Sequence, residues 1–280
     1  MIPTSVTSSH GVRLALHDLA PGHEGPLLLL SHATGFHGHC YQPMADLLSD
    51  YWHPVALDYR GHGDSDGHPG DVDWQHYGDD AETVARALGG GLPAFGHSMG
   101  GACLLMAAHR DPSLFTELVV FEPIVFPPEG IRPGGGGEPS PMVQGALRRR
   151  ASFPSYESAV AHYAGKPPLN AFTPAALEAY VRYGFRPGDD GEVHLKCRPE
   201  TEAGTFATGG LHTTWDVLPE IETSVLVIAG HTQVMQPSAV SAAIAERLPN
   251  GRYLQLDHLD HFGPMSHPDE IAGLVLGALA

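Results

Sequence analysis

Along its first 126 residues the chain alternates between short apolar runs and longer segments whose apolar residues recur every third or fourth position. VRLALHD (12–18) alternates as a half-buried strand does. PLLLLSH (26–32) is apolar without a break and fits a strand covered on both faces. HPVALDY (53–59), PAFGH (93–97) and TELVVFEP (116–123) read as further strands. Between them, CYQPMADLLSD, WQHYGDDAETVARALGG and SMGGACLLMAAHR carry helical spacing. Asp73 is placed to cap the second of these helices, and the glycines from Gly89 end it. Strands separated by helices predict a mostly parallel sheet with right-handed crossovers.

The rhythm breaks at PPEGIRPGGGGEPSP (127–141), whose proline and glycine content reads as a linker. From Met142 to about Asp216 the pattern is mainly helical, clearest in ESAVAHYAG and in TPAALEAYVRYG, where Thr173 and Pro174 have the form of an N-cap and N1 proline. Strand character returns at SVLVIAG (224–230). It is followed by a helix on PSAVSAAIAERLP, a strand on RYLQLD, the loop HLDHFGPMSHP and an apolar final helix. The expectation is an α/β core from residues 1–126 and 217–280, interrupted by a helical cap over 127–216, too long for an ordinary connection.

Charge and cysteine usage narrow the function classes. Asp and Glu number 32 against 15 Lys and Arg, a net −17 that argues against nucleic acid or an anionic membrane as partner. Cys40, Cys103 and Cys197 lie far apart and in odd number, which suggests free thiols in a reducing compartment. The N-terminus lacks a basic region followed by an apolar core, and no apolar run approaches the ~18 residues of a membrane span. A cytoplasmic protein acting on a small molecule is expected; the oligomeric state is not legible.

Gly96-His97-Ser98-Met99-Gly100 matches G-x-S-x-G between a strand and a helix. Glycines flank the serine because side chains there would collide with neighbouring backbone in so tight a turn. The turn lifts the hydroxyl above the sheet edge and aims helix N–H groups at an oxyanion. His32, His37 and His39 suggest a metal by composition, yet no ordered ligand set such as H-E-x-x-H accompanies them, so neither metal nor cofactor is expected.

SHATGFHG, DYRGHGDSD, GHSMGG and DHFGPMSHPDE follow one another in an order and spacing that resembles the α/β-hydrolase fold family. The resemblance covers 12–123 and 224 to the C-terminus; the insertion is similar to that family's cap domains in location and helical character. It implies a mostly parallel, doubly wound sheet with a helical cap. It also implies Ser98 as nucleophile and His261, at the start of H-F-x-x-x-x-x-P, as base, with His258 as a rival three residues earlier. The implied oxyanion donors are the N–H groups of Met99 and of Thr34, in a His32-Ala33-Thr34 stretch where relatives carry glycine at the second place. His62 and Asp64 fall in a loop that braces the active-site face.

The orienting acid departs from the family pattern. Where Gly-x-x-Asp is usual, the chain reads Gly230-His231-Thr232-Gln233, and Gln233 offers a carbonyl but no charge. Glu122 closes an apolar strand at the same edge as Ser98, a position some members use, and it keeps the order Ser…acid…His. Asp257 is a weaker alternative. The combined expectation is a serine hydrolase for small or medium apolar carboxylic esters, with lactones and thioesters in the same chemical range. Epoxide- and haloalkane-type chemistry needs a carboxylate at the elbow and is disfavoured. A C–C bond hydrolase, a cofactor-free lyase or oxygenase, a ligand receptor and an inactive relative are the alternatives. Phe153, Tyr156, Tyr163, Tyr180, Tyr183, Phe185 and Phe206 of the insertion suggest either an apolar pocket wall or the insertion's own core.

Overall fold

Buried strands need both faces covered, and the computed structural model, which describes residues 2–9, 11–67, 72–128, 139–234 and 236–280, shows how this chain covers them. The first half contains β1 (Ser5–Thr7), β2 (Arg13–Asp18), β3 (Leu27–Ser31), α1 (Gln42–Leu48), β4 (His53–Leu57), α2 (Trp74–Ala87), β5 (Leu92–His97), α3 (Met99–Arg110) and β6 (Phe115–Phe121). The insertion contributes α4 (Pro141–Leu147), β7 (Ser152–Phe153), α5 (Tyr156–Ala164), α6 (Pro174–Gly184), β8 (Phe185–Pro187), β9 (Val193–Leu195), α7 (Pro199–Thr208) and α8 (Thr214–Val217). The chain closes with β10 (Ser224–Ala229), α9 (Ser238–Arg247), β11 (Gly251–Gln255), α10 (Gly263–Ser266) and α11 (Pro268–Ala278).

Eight strands form one sheet in the order β1-β2-β4-β3-β5-β6-β10-β11, antiparallel at β1, β2 and β4 and parallel from β4 onward. Period-two side-chain alternation divides the core between two faces. Leu29, Leu118, Val120, Val225 and Val227 join the cluster that contains α2 and α3 residues, while Leu28, Leu30, Val119, Phe121, Leu226 and Ile228 join the one containing α1 and α11 residues. After β4 the chain returns across the sheet to place β5 beside β3. The carboxyl ends of β3 and β5 therefore flank a topological switch point, where open α/β sheets bind ligands.

The caps follow the sequence: Asp73 accepts from Gln75 N–H at 2.8 Å, and Thr173 from Ala176 N–H at 3.2 Å. The insertion differs from its mainly helical expectation, because β7, β9 and β8 pair as a small antiparallel sheet. Strands of two or three residues are too short to declare a period. The loop expected before the last helix likewise contains the short α10. Most of the linker expected over 127–141 lies outside the described residues. Four of the seven aromatic residues singled out in the insertion (Phe153, Tyr163, Tyr180, Phe185) are buried in the core cluster that also holds α1 and α11. Tyr183 is exposed and stacks on His39, with ring centroids 3.9 Å apart.

Several histidines pack in the interior beneath the sheet edge. His32 donates from Nδ1–H to Ala33 O at 2.7 Å and accepts Tyr59 N–H at Nε2, an arrangement complete only for the neutral ring. Burial pushes His32 down to about 3 and His37 and His39 to about 4, and it lowers His62 as well. Burial also works against His17, but its hydrogen bond to buried Asp58 holds it above its ordinary value. Between about pH 4 and 6.5 the unfolded chain takes up protons that the four depressed histidines refuse in the fold, so stability rises with pH there. His17 contributes oppositely, its stabilisation being lost as pH rises through its raised value. Burial lowers His97 and His162 as well, while buried Asp80, raised by burial, sides with His17. The depressed histidines outnumber the opposing groups, so the melting temperature is expected to be lower at pH 5 than at pH 7, and calorimetry in buffers of different ionisation enthalpy should register net proton uptake on unfolding. A melting temperature that rises on acidification would contradict this.

Candidate active site

The elbow is built from two close approaches. A Cβ on Gly96 would stand 2.7 Å from the Cα of Gly101, and one on Gly100 would stand 2.2 Å from the carbonyl oxygen of Ser31. Glycine at both positions lets β5 pass directly into α3, with Ser98 held at φ 57°, ψ −115°. A positive φ on a non-glycine residue is strained, and the surroundings must enforce it. Here Ser98 N–H donates to Phe121 O at 2.9 Å and Ser98 O accepts from Ile124 N–H at 3.2 Å, so β6 and its following turn hold both ends of the residue.

Glu122 immediately follows β6 and also has a positive φ, 44°. Its N–H donates to Ile228 O of β10. The carboxylate is 1% exposed and has two donors: Gly230 N–H on Oε1 at 2.9 Å and His261 Nδ1–H on Oε2 at 2.6 Å. A buried carboxylate requires such partners. The imidazole Nε2 of His261 then faces Ser98 Oγ at 3.0 Å. With Nδ1 protonated toward Glu122, Nε2 presents its lone pair to the serine hydroxyl, and so the ring is in position to take that proton as the oxygen attacks.

The structure thus brings Ser98, His261 and Glu122 together and leaves the rivals elsewhere. Gln233 is exposed, and its backbone N–H bonds Ser238 Oγ. His258 pairs with Glu270 at 2.8 Å, and Asp257 is exposed beside Gln255. Thr34 lies at the cavity with Ser98, while Met99 opens α3, where the first N–H groups of a helix have no intrahelical partner. Ala33 does not have a positive φ; the position in this loop that requires glycine is Gly35, at φ 77°, where a Cβ would meet Glu202 Oε1 at 2.3 Å. Glu202 pairs with Arg149 at 2.6 Å, so the insertion packs an ion pair directly onto the Thr34 loop. His62 donates to Arg60 O, and Asp64 pairs with Lys196 while its N–H bonds Asp58, which accounts for both as loop braces.

Above the serine is a cavity of ≈110 Å³. Its walls come from Phe36, Trp74, Ile124, Phe126, Phe206 and Phe262, with Met142, Gln236 and Pro237 nearby. Among the described residues, no lysine, arginine or carboxylate lines it. Of the insertion aromatics noted in the sequence, Phe206 alone belongs to this wall. Trp74, which sequence reasoning missed, is fixed by Nε1–H donating to Thr205 O and by stacking on His212 with centroids 5.1 Å apart. Its helical spacing marked it only as a buried residue of α2.

The sequence pattern described as the Alpha/beta hydrolase family matches residues 27–274. The chain is 25% identical over 250 residues to 2-(acetamidomethylene)succinate hydrolase of Mesorhizobium japonicum, covering 85% of this chain and 82% of that one. It is 26% identical over 283 residues to a bifunctional esterase/perhydrolase of Acinetobacter calcoaceticus, covering 95% of each. The crystal structure of E-2-(acetamidomethylene)succinate hydrolase superposes with a TM-score of 0.80 at 22% identity, over 98% of this chain and 97% of the other.

The contact at Gly100 sets a sharp steric test. A Gly100→Ala substitution drives a methyl group into backbone and should cost about 3 kcal/mol or more, a drop of roughly 6 °C in melting temperature at about 2 °C per kcal/mol. Gly273→Ala on α11, where a Cβ meets nothing within 4 Å, should leave the melt near wild type. Equal melts for the two variants would contradict the packing described.

Proposed function

Because the chain belongs to the alpha/beta hydrolase family, we propose that it is a serine hydrolase cleaving small, uncharged carboxylic esters through an acyl-enzyme. The observation that carries this reading is the hydrogen-bond chain Glu122–His261–Ser98 opening onto a small cavity without charged side chains. In the proposed reaction His261 Nε2 removes the Ser98 proton as Oγ attacks the ester carbonyl. Glu122 holds the Nδ1–H tautomer and stabilises the imidazolium that forms. The N–H groups of Thr34 and Met99 receive the oxyanion, each worth about 3 kcal/mol in the transition state. Collapse of the tetrahedral intermediate breaks the bond to the leaving alkoxide, which takes the proton from His261. Water then attacks the acyl-enzyme with His261 again as base, and the carboxylic acid leaves.

Cavity size and polarity narrow the substrate. The ≈110 Å³ space is well below the roughly 300 Å³ at which drug-sized pockets begin, which favours a short acyl group. The Mesorhizobium japonicum relative is named for a succinate derivative. A dicarboxylate would enter this cavity without a counter-charge from the described lining residues, at a high desolvation cost. Neutral esters suit it better, and lactones and thioesters of similar size follow the same chemistry. Residues 1–126 and 217–280 are read as the catalytic core and 127–216 as a cap roofing the cavity, a division supported by the insertion's contacts at Gly35 and Trp74.

With p-nitrophenyl esters, acetate and butyrate should be turned over faster than decanoate, and Ser98→Ala should abolish both turnover and fluorophosphonate labelling. Glu122→Gln should reduce kcat by about 10⁴, while Gln233→Ala should stay close to wild type. Full activity in Glu122→Gln together with a large loss in Gln233→Ala would overturn the assignment of the acid. Absence of labelling at Ser98 would overturn the hydrolase reading itself.

A further inference from the structure

A second line of hydrogen bonds, separate from the Ser98–His261–Glu122 chain, ends on the backbone of His261. His97 Nε2 lies 2.8 Å from His261 O, His97 Nδ1 lies 2.8 Å from Tyr41 Oη, and Tyr41 Oη lies 3.2 Å from Ala33 N. The two side chains are 0% and 1% exposed. Phe121 and Phe36 set their rings edgewise against His97, with centroids 5.7 and 6.1 Å away.

The direction of every bond in this line is forced. A carbonyl oxygen only accepts, so His97 carries its proton on Nε2. Burial, reinforced by the neighbouring His261, holds the His97 ring neutral. Its Nδ1 must then accept, and the donor there is the Tyr41 hydroxyl. The phenol oxygen in turn accepts the N–H of Ala33. Proton direction therefore runs from the loop after β3, through Tyr41 and His97, to the loop carrying His261.

The three ends of this line are the three places where the proposed chemistry needs sub-ångström registry. Ala33 adjoins Thr34, the proposed oxyanion donor. His97 is covalently joined to Ser98. His261 O belongs to the proposed base. We infer that Tyr41 and His97 are positioning residues, a neutral relay that keeps the oxyanion loop, the nucleophile and the base loop in register, with His97 Nε2–H as its essential donor. The inference rests on the reading of Ser98 and His261 as nucleophile and base. In a close-packed interior, a shift of about 1 Å in either loop is worth roughly 100-fold in rate.

The variants that separate this role from ordinary core packing are His97→Gln and His97→Asn. Glutamine reaches the Nε2 position with an N–H and can still donate to His261 O. Asparagine reaches only the Nδ1 position and leaves that carbonyl without a donor. The readout is the rate of fluorophosphonate labelling of Ser98, resolved into the maximal inactivation rate and the half-saturating concentration, with melting temperatures alongside. Asparagine should lower the maximal rate about 100-fold with half-saturation unchanged, glutamine should stay within about tenfold, and Tyr41→Phe should fall between them. Equal losses for asparagine and glutamine, or losses that simply follow melting temperature, would overturn the relay. Should the variants fail to fold, ¹⁵N shifts of histidine-labelled wild type decide the matter: the Nε2–H tautomer is expected for His97, and an Nδ1–H tautomer or a charged ring rejects the proposal. A wild type that does not label at all instead rejects the reading of Ser98 as an activated nucleophile, while the tautomer measurement still judges the relay.

Discussion

A carboxylate that is 1% exposed cannot exist without donors, and the site is organised around satisfying Glu122. Gly230 N–H, beyond the end of β10, supplies one partner, and His261 Nδ1–H, beyond β11, supplies the other. Breaking either leaves charge in the interior, a far greater penalty than the net gain from an ordinary hydrogen bond. The same demand explains why the backbone accepts φ 44° at a glutamate. Strain at Glu122 and at Ser98 is local and is enforced by bonds to the adjoining strands β6 and β10.

How much of this could be read from the chain depended on how steric or electrostatic the signal was. Gly96 and Gly100 reveal Ser98 because a Cβ at either place meets backbone, a constraint that leaves few residue choices. Glu122 was visible as a charge closing an apolar strand, and Gln233 as a missing one. The two-to-three-residue strands β7, β8 and β9 were illegible because they are shorter than the patterns that distinguish strand from helix. Gly35 went unnoticed since its requirement comes from Glu202, far along the chain and in another element. Tyr41 and Trp74 fall in segments read only as helical, and both are buried; the use of their polar atoms depends on partners that only the tertiary fold supplies.

The interior histidines illustrate a related economy. His32 and His97 are both fully buried and adopt opposite tautomers, Nδ1–H in the first and Nε2–H in the second. A neutral imidazole carries one donor and one acceptor, so it can join two backbone or hydroxyl groups across a dry interior without bringing a charge. Lysine or arginine would have carried a large desolvation cost in the same places, and serine could not span the distance.

The placement of Glu122 directly after β6 also changes what the loop after β10 is free to become. In the proposed site, nucleophile and acid follow neighbouring parallel strands whose last residues, His97 and Phe121, are in direct register. Their separation is set by the ladder. The stretch from His231 to Val234 is exposed, and among the described residues of this loop only the Gly230 N–H serves the carboxylate. Gln236 and Pro237, just beyond, line the cavity. In the proposed site the segment carries no catalytic group yet adjoins the cavity, so its length and composition form an evolutionary degree of freedom through which the fold could explore new substrates without rebuilding its chemistry.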